Sequence, residues 1–451
     1  MTFATALRLM PRGHNLRAND GNPGICVAFV GAGGKTTSIF ALAHELPVPT
    51  LVTSTTHIGA WQLDQADKHV VANTPADLAG LGERKLTLVT GPPGVDHRMS
   101  SVTPEVLGRL RRESLMHGWP LLIEADGARQ RPLKAPRADE PQLPQFVEVV
   151  VVVAGMGGLH RRLDGDSVHR PEIYAQLSGL SLGSTVTADA IGRVLSYARG
   201  GLKDIPSRAR RVALLNQADT PELQAEARSI AHSLRNHYDS IVTATMRLNA
   251  VRAVHEPCAG IVLAAGGATR FGRPKQLLAW HGQPLVRVVA NTALDAGLSP
   301  VIIVAGAESL QVEAAVAGLP VIAARNERWQ DGQASSIRTG LDACPTSAGS
   351  AIFLLADQPR VTPDVIRALV AAHASESATI VAPMLQGDRR GNPVLFDRET
   401  FAHLRELRGD VGGRVIFSHY PIHYLPWHDD HIALDIDTED DYGALLEDDR
   451  A

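Results

Sequence analysis

The apolar positions of this 451-residue chain fall mostly in short continuous runs rather than in strict alternation. Such runs, bounded by glycine, proline or polar clusters, predict strands buried on both faces, as in a parallel sheet. Residues 25–30 (ICVAFV), 49–52, 120–123 and 212–215 are runs of this kind in the first half. Residues 260–265 (GIVLAA), 300–305, 320–323, 350–355 and 379–383 are their counterparts in the second. Helical stretches start at residue 38 and recur near 285–296 and 364–373. The fold class this predicts is α/β in both halves, with crossover helices joining parallel strands.

A chain of this length predicts two or three domains, each able to bury its own core. The polar segment 1–23 is expected to be poorly ordered. A first domain is predicted over 24–254 and a second over 257–451. The join between residues 250 and 259 is short, so packed rather than freely swinging domains are expected. Neither a short internal repeat nor a low-complexity stretch is visible.

Composition narrows the function only a little. The net charge is −4 (44 basic and 48 acidic residues), without a long basic run. Nucleic-acid binding is therefore not favoured. The three cysteines Cys26, Cys258 and Cys344 lie far apart and form no CxxC, which fits a reducing cytoplasm and argues against a zinc cluster. The chain shows neither a run of transmembrane length nor a signal-peptide core, so a cytoplasmic protein without membrane attachment is expected.

The chemistry lies where strands break into glycine. In the second half the run ending at Ala264-Ala265 opens into Gly266-Gly267, with Arg270, Lys275 and Gln276 close behind. Small residues let backbone N–H groups approach an anion, and two cations after them suit a triphosphate. In the first half Gly31-Ala32-Gly33-Gly34-Lys35-Thr36-Thr37 follows a strand and precedes a helix. That order puts amides and a helix N-terminus on phosphates, with Lys35 adding charge and Thr36 able to ligate Mg²⁺. The strict phosphate-loop motif needs a glycine where Phe29 stands, so this is a shortened variant; a helix-capping turn is the alternative. The strand at 120–123 ends in carboxylates, and Glu124 or Asp126 would reach Mg²⁺ through water. The strand at 212–215 ends in Asn216-Gln217-Ala218-Asp219, similar to the guanine-reading NKxD with Gln217 in place of lysine. Either Asp219 meets a base edge or the segment is a turn at Thr220-Pro221. The hydroxyl run 53–57 and the basic run 129–134 are read as solvated loops, the latter able to meet an anion. His160 and His169 are read as surface residues among arginines.

LAAGGATRFGRPKQLL resembles the signature of MobA-like nucleotidyltransferases, in the form of molybdenum cofactor cytidylyltransferases (MocA-like). NERWQDGQASS at 326–336, Asp357-Gln358-Pro359, Gly391-Asn392-Pro393-Val394, GDVGG at 409–413 and DIDTED at 435–440 follow in the family's order. The resemblance covers about residues 257–445. It implies a Rossmann-like nucleotidyltransferase domain of the nucleotide-diphospho-sugar transferase type. It also implies Mg²⁺ at Asp357 and at one aspartate of DIDTEDD, with Asp437 preferred and Asp435 the fallback. The implied reaction uses CTP and Mo-molybdopterin, with Arg270, Lys275 and Asp357 catalytic. The nucleotide would meet Ala264, Ala265, Gly266, Gly267, Arg270, Lys275 and Gln276. Acceptor candidates are Asn326, Trp329, Ser335, Ser336, Arg338, Asn392 and Asp410. LAAG, and Pro274 rather than an acidic residue before Lys275, favour CTP over GTP. Rival readings are a molybdenum cofactor carrier without turnover, a guanylyltransferase, and an oxidoreductase on the same scaffold. The last lacks a dinucleotide fingerprint here.

GAGGKTT, TSTTHI, EADGARQRPLK, VHRPE and NQAD, over about residues 22–250, resemble the YqeC family, accessory proteins of selenium-dependent molybdenum hydroxylases. This implies a domain of phosphate-loop type that binds ATP or GTP and helps mature a hydroxylase apoenzyme, its small-molecule and protein partners both tied to molybdenum cofactor.

Overall fold

The computed structural model describes residues 1–12, 24–82, 84–94, 97–267, 271–376 and 378–448. Arg270, one of the three residues expected to be catalytic, lies outside the described residues. The chain forms two compact units that divide at His255/Glu256, with residues 1–11 in the first and Arg12 in the second.

The first unit is built on a nine-stranded sheet. Across it run Ala250–His255, Ser240–Thr245, Arg210–Asn216, Val149–Gly155, Cys26–Gly31, Leu121–Glu124, Thr50–Ser54, Leu86–Thr90 and Lys68–Val71. All neighbours are parallel except the edge pair Ser240–Thr245/Ala250–His255. The sheet's centre is buried on both faces, which is why Val149–Gly155 can be seven apolar or small residues in a row. Apolar clusters cover each face. In a parallel sheet the strands' carboxyl ends share one edge, so Gly31, Glu124, Gly155 and Asn216 end beside one another.

Two features differ from the sequence reading. The first residues are packed: a short helix Phe3–Ala6 is buried, and the amides of Phe3 and Ala4 donate to the Glu45 carboxylate at 3.1 and 2.6 Å. Phe3, Ala4, Ala6 and Leu7 supply the apolar side chains that a polar reading of the segment overlooked. The region read as a linker is in part a strand, Ala250–His255, whose antiparallel pairing closes one edge of the sheet.

The second unit has an eight-stranded mixed sheet. Val321–Arg325, Val301–Ala305, Cys258–Ala264 and Ser350–Leu355 form its parallel half. Val394–Asp397 pairs antiparallel with Ser350–Leu355 and with Ile380–Leu385. Ile380–Leu385 is also flanked by Arg389–Arg390 and Ile422–Pro426. Val286, Val289 and Ala293 of the helix Leu285–Asp295 are buried against one face, and Ile337 and Leu341 of Gln333–Asp342 against the other. The register Ala264↔Ala305↔Arg325 and Leu263↔Leu355 brings Gly266, Asn326 and Asp357 out at the same edge.

Candidate functional site

At that edge of the second unit a cleft of about 770 Å³ is lined by Ala264, Ala265, Gly266, Gly267, Lys275, Gln276, Trp329, Ser336, Asp357 and Asp410, among others. In the turn after Cys258–Ala264, Gln276 Nε2 donates to the Gly266 carbonyl at 3.2 Å. A Cβ at Gly266 would meet no atom within 4 Å, whereas one at Gly267 would lie 2.8 Å from the Trp329 ring. Gly267 therefore lets the indole lie against the loop, and a side chain there would push it away.

Three carboxylates and one lysine set the electrostatics. Asp357 follows the strand Ser350–Leu355, and burial, reinforced by the negative charge of Asp435, pushes its carboxyl up to about 6. Asp435 is also raised, first by burial, although Gln358 Nε2 donates to it at 2.5 Å. The Ile436 amide donates to the Asp357 carbonyl at 3.1 Å, which pins the acidic segment beside the strand end. Lys275 Nζ sits 2.5 Å from Asp437 Oδ1. Asp437, the aspartate preferred from sequence for the metal, is thus the exposed partner of Lys275. Asp435 is the carboxylate whose charge acts most on Asp357. The two aspartates part on either side of the buried Ile436: Asp435 is held by Gln358 and Asp437 by Lys275.

The acceptor motifs divide. Asn326 Nδ2 donates to Ser335 Oγ at 2.7 Å and to Ser336 Oγ at 3.0 Å, so its amide orders the helix start rather than facing solvent. Ser336 lines the cleft. Asp410 accepts from the Gln333 amide at 3.2 Å at the cleft wall. Arg338 departs from expectation: its guanidinium donates to the Leu407 carbonyl at 2.9 Å and it is not among the cleft's lining residues. Asn392 lines an adjoining pocket of about 370 Å³ with Phe353, Phe396 and Arg414, and its Oδ1 accepts from Arg414 at 3.1 Å. The two cavities share Leu263, Gln333 and Leu355.

Residues 260–424 match the family model of the MobA-like NTP transferase domain. The nicotine blue oxidoreductase of Paenarthrobacter nicotinovorans is 31% identical over 205 residues, 42% of this chain and 97% of that relative. Through this half the chain belongs to the MobA-like NTP transferase family. The crystal structure of Rv0371c from Mycobacterium tuberculosis H37Rv matches the same share of the chain, 42%, and 98% of its own, at 31% identity and a TM-score of 0.38. By its family model the MobA-like half is an NTP transferase domain. Ahead of it, residues 27–172 match the YqeC protein family model. The YqeC protein of Escherichia coli (strain K12) is 29% identical over 220 residues, 47% of this chain and 83% of that protein.

In the YqeC-like half the glycine loop adopts backbone that few side chains tolerate, with φ of 94° at Gly31, 89° at Gly33 and 118° at Gly34. Lys35 Nζ donates to the Gly31 carbonyl at 2.6 Å and pairs with Asp126 at 3.1 Å and Glu124 at 3.9 Å. Burial opposes its charge, but the two carboxylates outweigh that and raise its pKa. Thr36 Oγ1 donates to Glu124 Oε2 at 2.9 Å, and burial raises the Glu124 pKa. The Asp126 carboxylate instead accepts from the Gly31 amide, at 3.0 and 3.2 Å, and bridges Lys35 to Lys134.

Lys35, Thr36, Thr37, Gly33, Gly34 and Glu124 line a cleft of about 470 Å³. Asn216 and Asp219 are not among its lining residues. Asn216, the nucleotide-site candidate that opens the NKxD-like stretch, is buried and braces the loop: Nδ2 donates to the Gly33 carbonyl at 2.8 Å and Oδ1 accepts from the Met246 amide at 2.9 Å. Asp219 pairs with Arg247 at 3.1 Å. Sequence reasoning missed Trp61, which is 56% exposed and lines this cleft with His57, Gln62, Arg98 and Gln217. Its signal was weak: a lone tryptophan in a stretch whose apolar spacing matches neither helix nor strand.

Proposed function

We propose that the MobA-like half transfers CMP from CTP to the terminal phosphate of molybdopterin carrying molybdenum. An oxygen of the acceptor phosphate attacks Pα, the bond from Pα to the bridging β-oxygen breaks, and pyrophosphate leaves. The products are molybdopterin cytosine dinucleotide and pyrophosphate. The observation that carries this reading is one cleft that collects a glycine turn, Lys275, Asp357, Trp329 and Ser336.

On this reading the Gly266 and Gly267 amides, with Arg270, bind the β- and γ-phosphates. Lys275 leaves Asp437 to offset charge that builds at Pα, so the work is alignment and electrostatic stabilisation. Asp357 and Asp435 would hold a divalent cation such as Mg²⁺. Both carboxyls are raised by burial, and the charge of Asp435 raises Asp357 further, an arrangement that suits a cation. Among the described residues no three His, Cys, Asp or Glu side chains form a full cage, so phosphate oxygens and water would complete an octahedral shell. When bound, the cation supplies charge neutralisation for the triphosphate and the leaving pyrophosphate. Trp329 offers a flat face to an acceptor ring, and Asp410, Asn392 and the apolar floor of the adjoining pocket complete the acceptor side. Pro274 before Lys275 supports CTP over GTP. The YqeC-like half then serves as a nucleotide-binding accessory to hydroxylase maturation, with phosphates at Gly33–Thr36 and the base against Trp61.

The test is pyrophosphate release from purified chain with Mg²⁺, molybdenum-loaded cofactor and either CTP or GTP. Release with CTP is expected. Turnover with GTP alone would overturn the cytidylyl assignment, and release with neither would favour a carrier. A second reading, reduction of a small dye-like substrate, is favoured by the name of the 31% identical relative. It predicts NAD(P)H oxidation, which the transfer reading does not.

A further inference from the structure

The basic run at residues 129–134 is not used by either nucleotide site as described so far. It forms one wall of a second pocket in the first unit, of about 440 Å³, lined by Arg129, Arg131, Arg137, His169, Arg170 and Glu172 among others. Its frame is stiff. The two-residue strand Leu133–Lys134 pairs in parallel with Val168–His169 and fixes both flanks. Arg170 caps the helix Pro171–Ser178 with φ of 66°, and Arg129 and Gln130 have φ of 48° and 60°. Three successive-element residues held in left-handed backbone without being glycine mark a segment whose shape is imposed by its surroundings.

The charges are arranged to leave cation free. Glu140 is buried and already committed: it accepts two bonds from Arg170 at 2.7 and 2.8 Å and one from Lys134 at 2.6 Å, with Arg137 3.6 Å away. These bonds, against the opposing effect of burial, hold its carboxyl down at about 2. Arg137 also pairs with the exposed Asp139 at 2.5 Å, and among the described residues Arg131 pairs with the solvent-facing Asp166 at 3.4 Å. Such exposed pairs exchange readily. Among the described residues Arg129 has no carboxylate within pairing distance. His169 reports the surplus: burial, then the charges of Arg170 and Lys134, lower its pKa to about 4, so it is a neutral ring facing guanidinium groups. Arg129 and Arg131 also line the glycine-loop cleft, so a single arginine loop separates the two cavities.

We propose that this pocket is a second anion site, taking the phosphate of a small phosphomonoester beside the glycine-loop cleft. Guanidinium forks match phosphate oxygens in pairs, and a concave pocket of this size admits a phosphorylated small molecule rather than a polymer backbone. The proposal is independent of the transfer reaction in the other half. Its consequence is that the first unit holds two phosphate-bearing ligands with shared arginines between them, as an enzyme with two substrates requires.

Arginine footprinting on the full chain tests it. The chain is modified with phenylglyoxal, with and without inorganic phosphate or glycerol phosphate, and each arginine is followed by mass spectrometry. Arg137 lines only the second pocket and Arg98 only the glycine-loop cleft. At a ligand concentration ten times its dissociation constant, protection of Arg137 by about tenfold is expected, with Arg98 unchanged. With the two compared at one equal, sub-saturating concentration, stronger protection by glycerol phosphate identifies a phosphomonoester; equal or weaker protection leaves inorganic phosphate as the ligand and removes the phosphomonoester claim. Protection of Arg98 and Arg129 without Arg137 assigns the anion to the glycine-loop cleft and overturns the proposal, as does unchanged reactivity throughout. The exposed pair Arg129→Ala/Arg137→Ala, with its thermal midpoint checked, is expected to weaken phosphate binding at least about tenfold by removing two charge-assisted contacts.

Discussion

Asp357 carries opposite consequences for activity and for stability. Its carboxyl titrates near 6 in the free chain because burial and Asp435 disfavour the anion. The folded state therefore holds a proton that the unfolded state has lost between about pH 4 and 6, and stability falls as pH rises through that window. Asp357→Asn is expected to stabilise the metal-free chain at pH 7 by about 1–3 kcal/mol, a gain that fades below about pH 5. Nucleotidyl transfer should fall at least about a hundredfold, since one side of the cation's support is gone. Thermal melts from pH 4 to 8 with pyrophosphate assays check both, and an unchanged midpoint at pH 7 would contradict the strain. Trp61 permits a second measurement at this scale. Its exposure in the glycine-loop cleft predicts that ATP or GTP quenches its fluorescence and that Trp61→Ala weakens binding by about 1–3 kcal/mol, the stacking range. The residues legible from sequence were those that chain neighbours announce: Gly266, Lys275, Asp357, Lys35 and Thr36 each follow a strand ending. Trp61, Arg98 and the Asp435/Asp437 choice depend on which way a loop turns, and local pattern does not encode that.

Among the elements, the glycine loop Gly31–Lys35 is braced by a residue distant in sequence. A Cβ at Gly34 would stand 2.3 Å from Asn216 Nδ2, and Asn216 also holds the Met246 amide. Asn216→Ala leaves a buried amide unpaired and should cost about 1–3 kcal/mol of stability. Because Asn216 braces the loop and lines no part of the cleft, the variant should weaken ATP and GTP binding by the same factor. A changed ratio of the two would instead give Asn216 a part in reading the base. The strands show the same limit of legibility. Continuous apolar runs announced the parallel strands Cys26–Gly31 and Cys258–Ala264. Val149–Gly155 was passed over although it is central and runs on into Gly157-Gly158, because no lysine, hydroxyl or carboxylate follows those glycines at once to suggest a site. Val394–Asp397 and Ile422–Pro426 were missed for another reason: the first is four residues long, and the second is half-buried without alternation.

For the whole molecule, two separately cored units predict two independent transitions with opposite responses to acid. Asp357 makes the second unit more stable as pH falls from about 6 toward 4. Glu140, held down at about 2, contributes stability to the first unit above the ordinary carboxylate range that is lost as pH falls toward 2. Scanning calorimetry between pH 7 and 3 should therefore show the second unit's transition gain from acid through Asp357, and Glu140→Gln at pH 7 should lower only the first unit's. Asp357→Asn should leave nucleotide quenching of Trp61 unchanged, since each unit carries its own cleft. Among the described residues no helix is long and apolar enough to cross a membrane.

The pairing of Lys275 with Asp437 in the free chain changes how the cleft should respond to salt. A lysine standing alone would release condensed counterions when a triphosphate arrives, and affinity would fall steeply as ionic strength rises. A lysine already neutralised by a neighbouring aspartate trades one protein-borne anion for a ligand-borne one, and few ions are liberated in the exchange. CTP affinity should accordingly be weaker than a bare cation would give but flatter with potassium chloride. Asp437→Asn should raise affinity at low salt and restore the steep slope. The aspartate thus acts as a tethered counterion, making the cleft less sensitive to the ionic conditions around it and giving departing pyrophosphate a competitor at the moment of release.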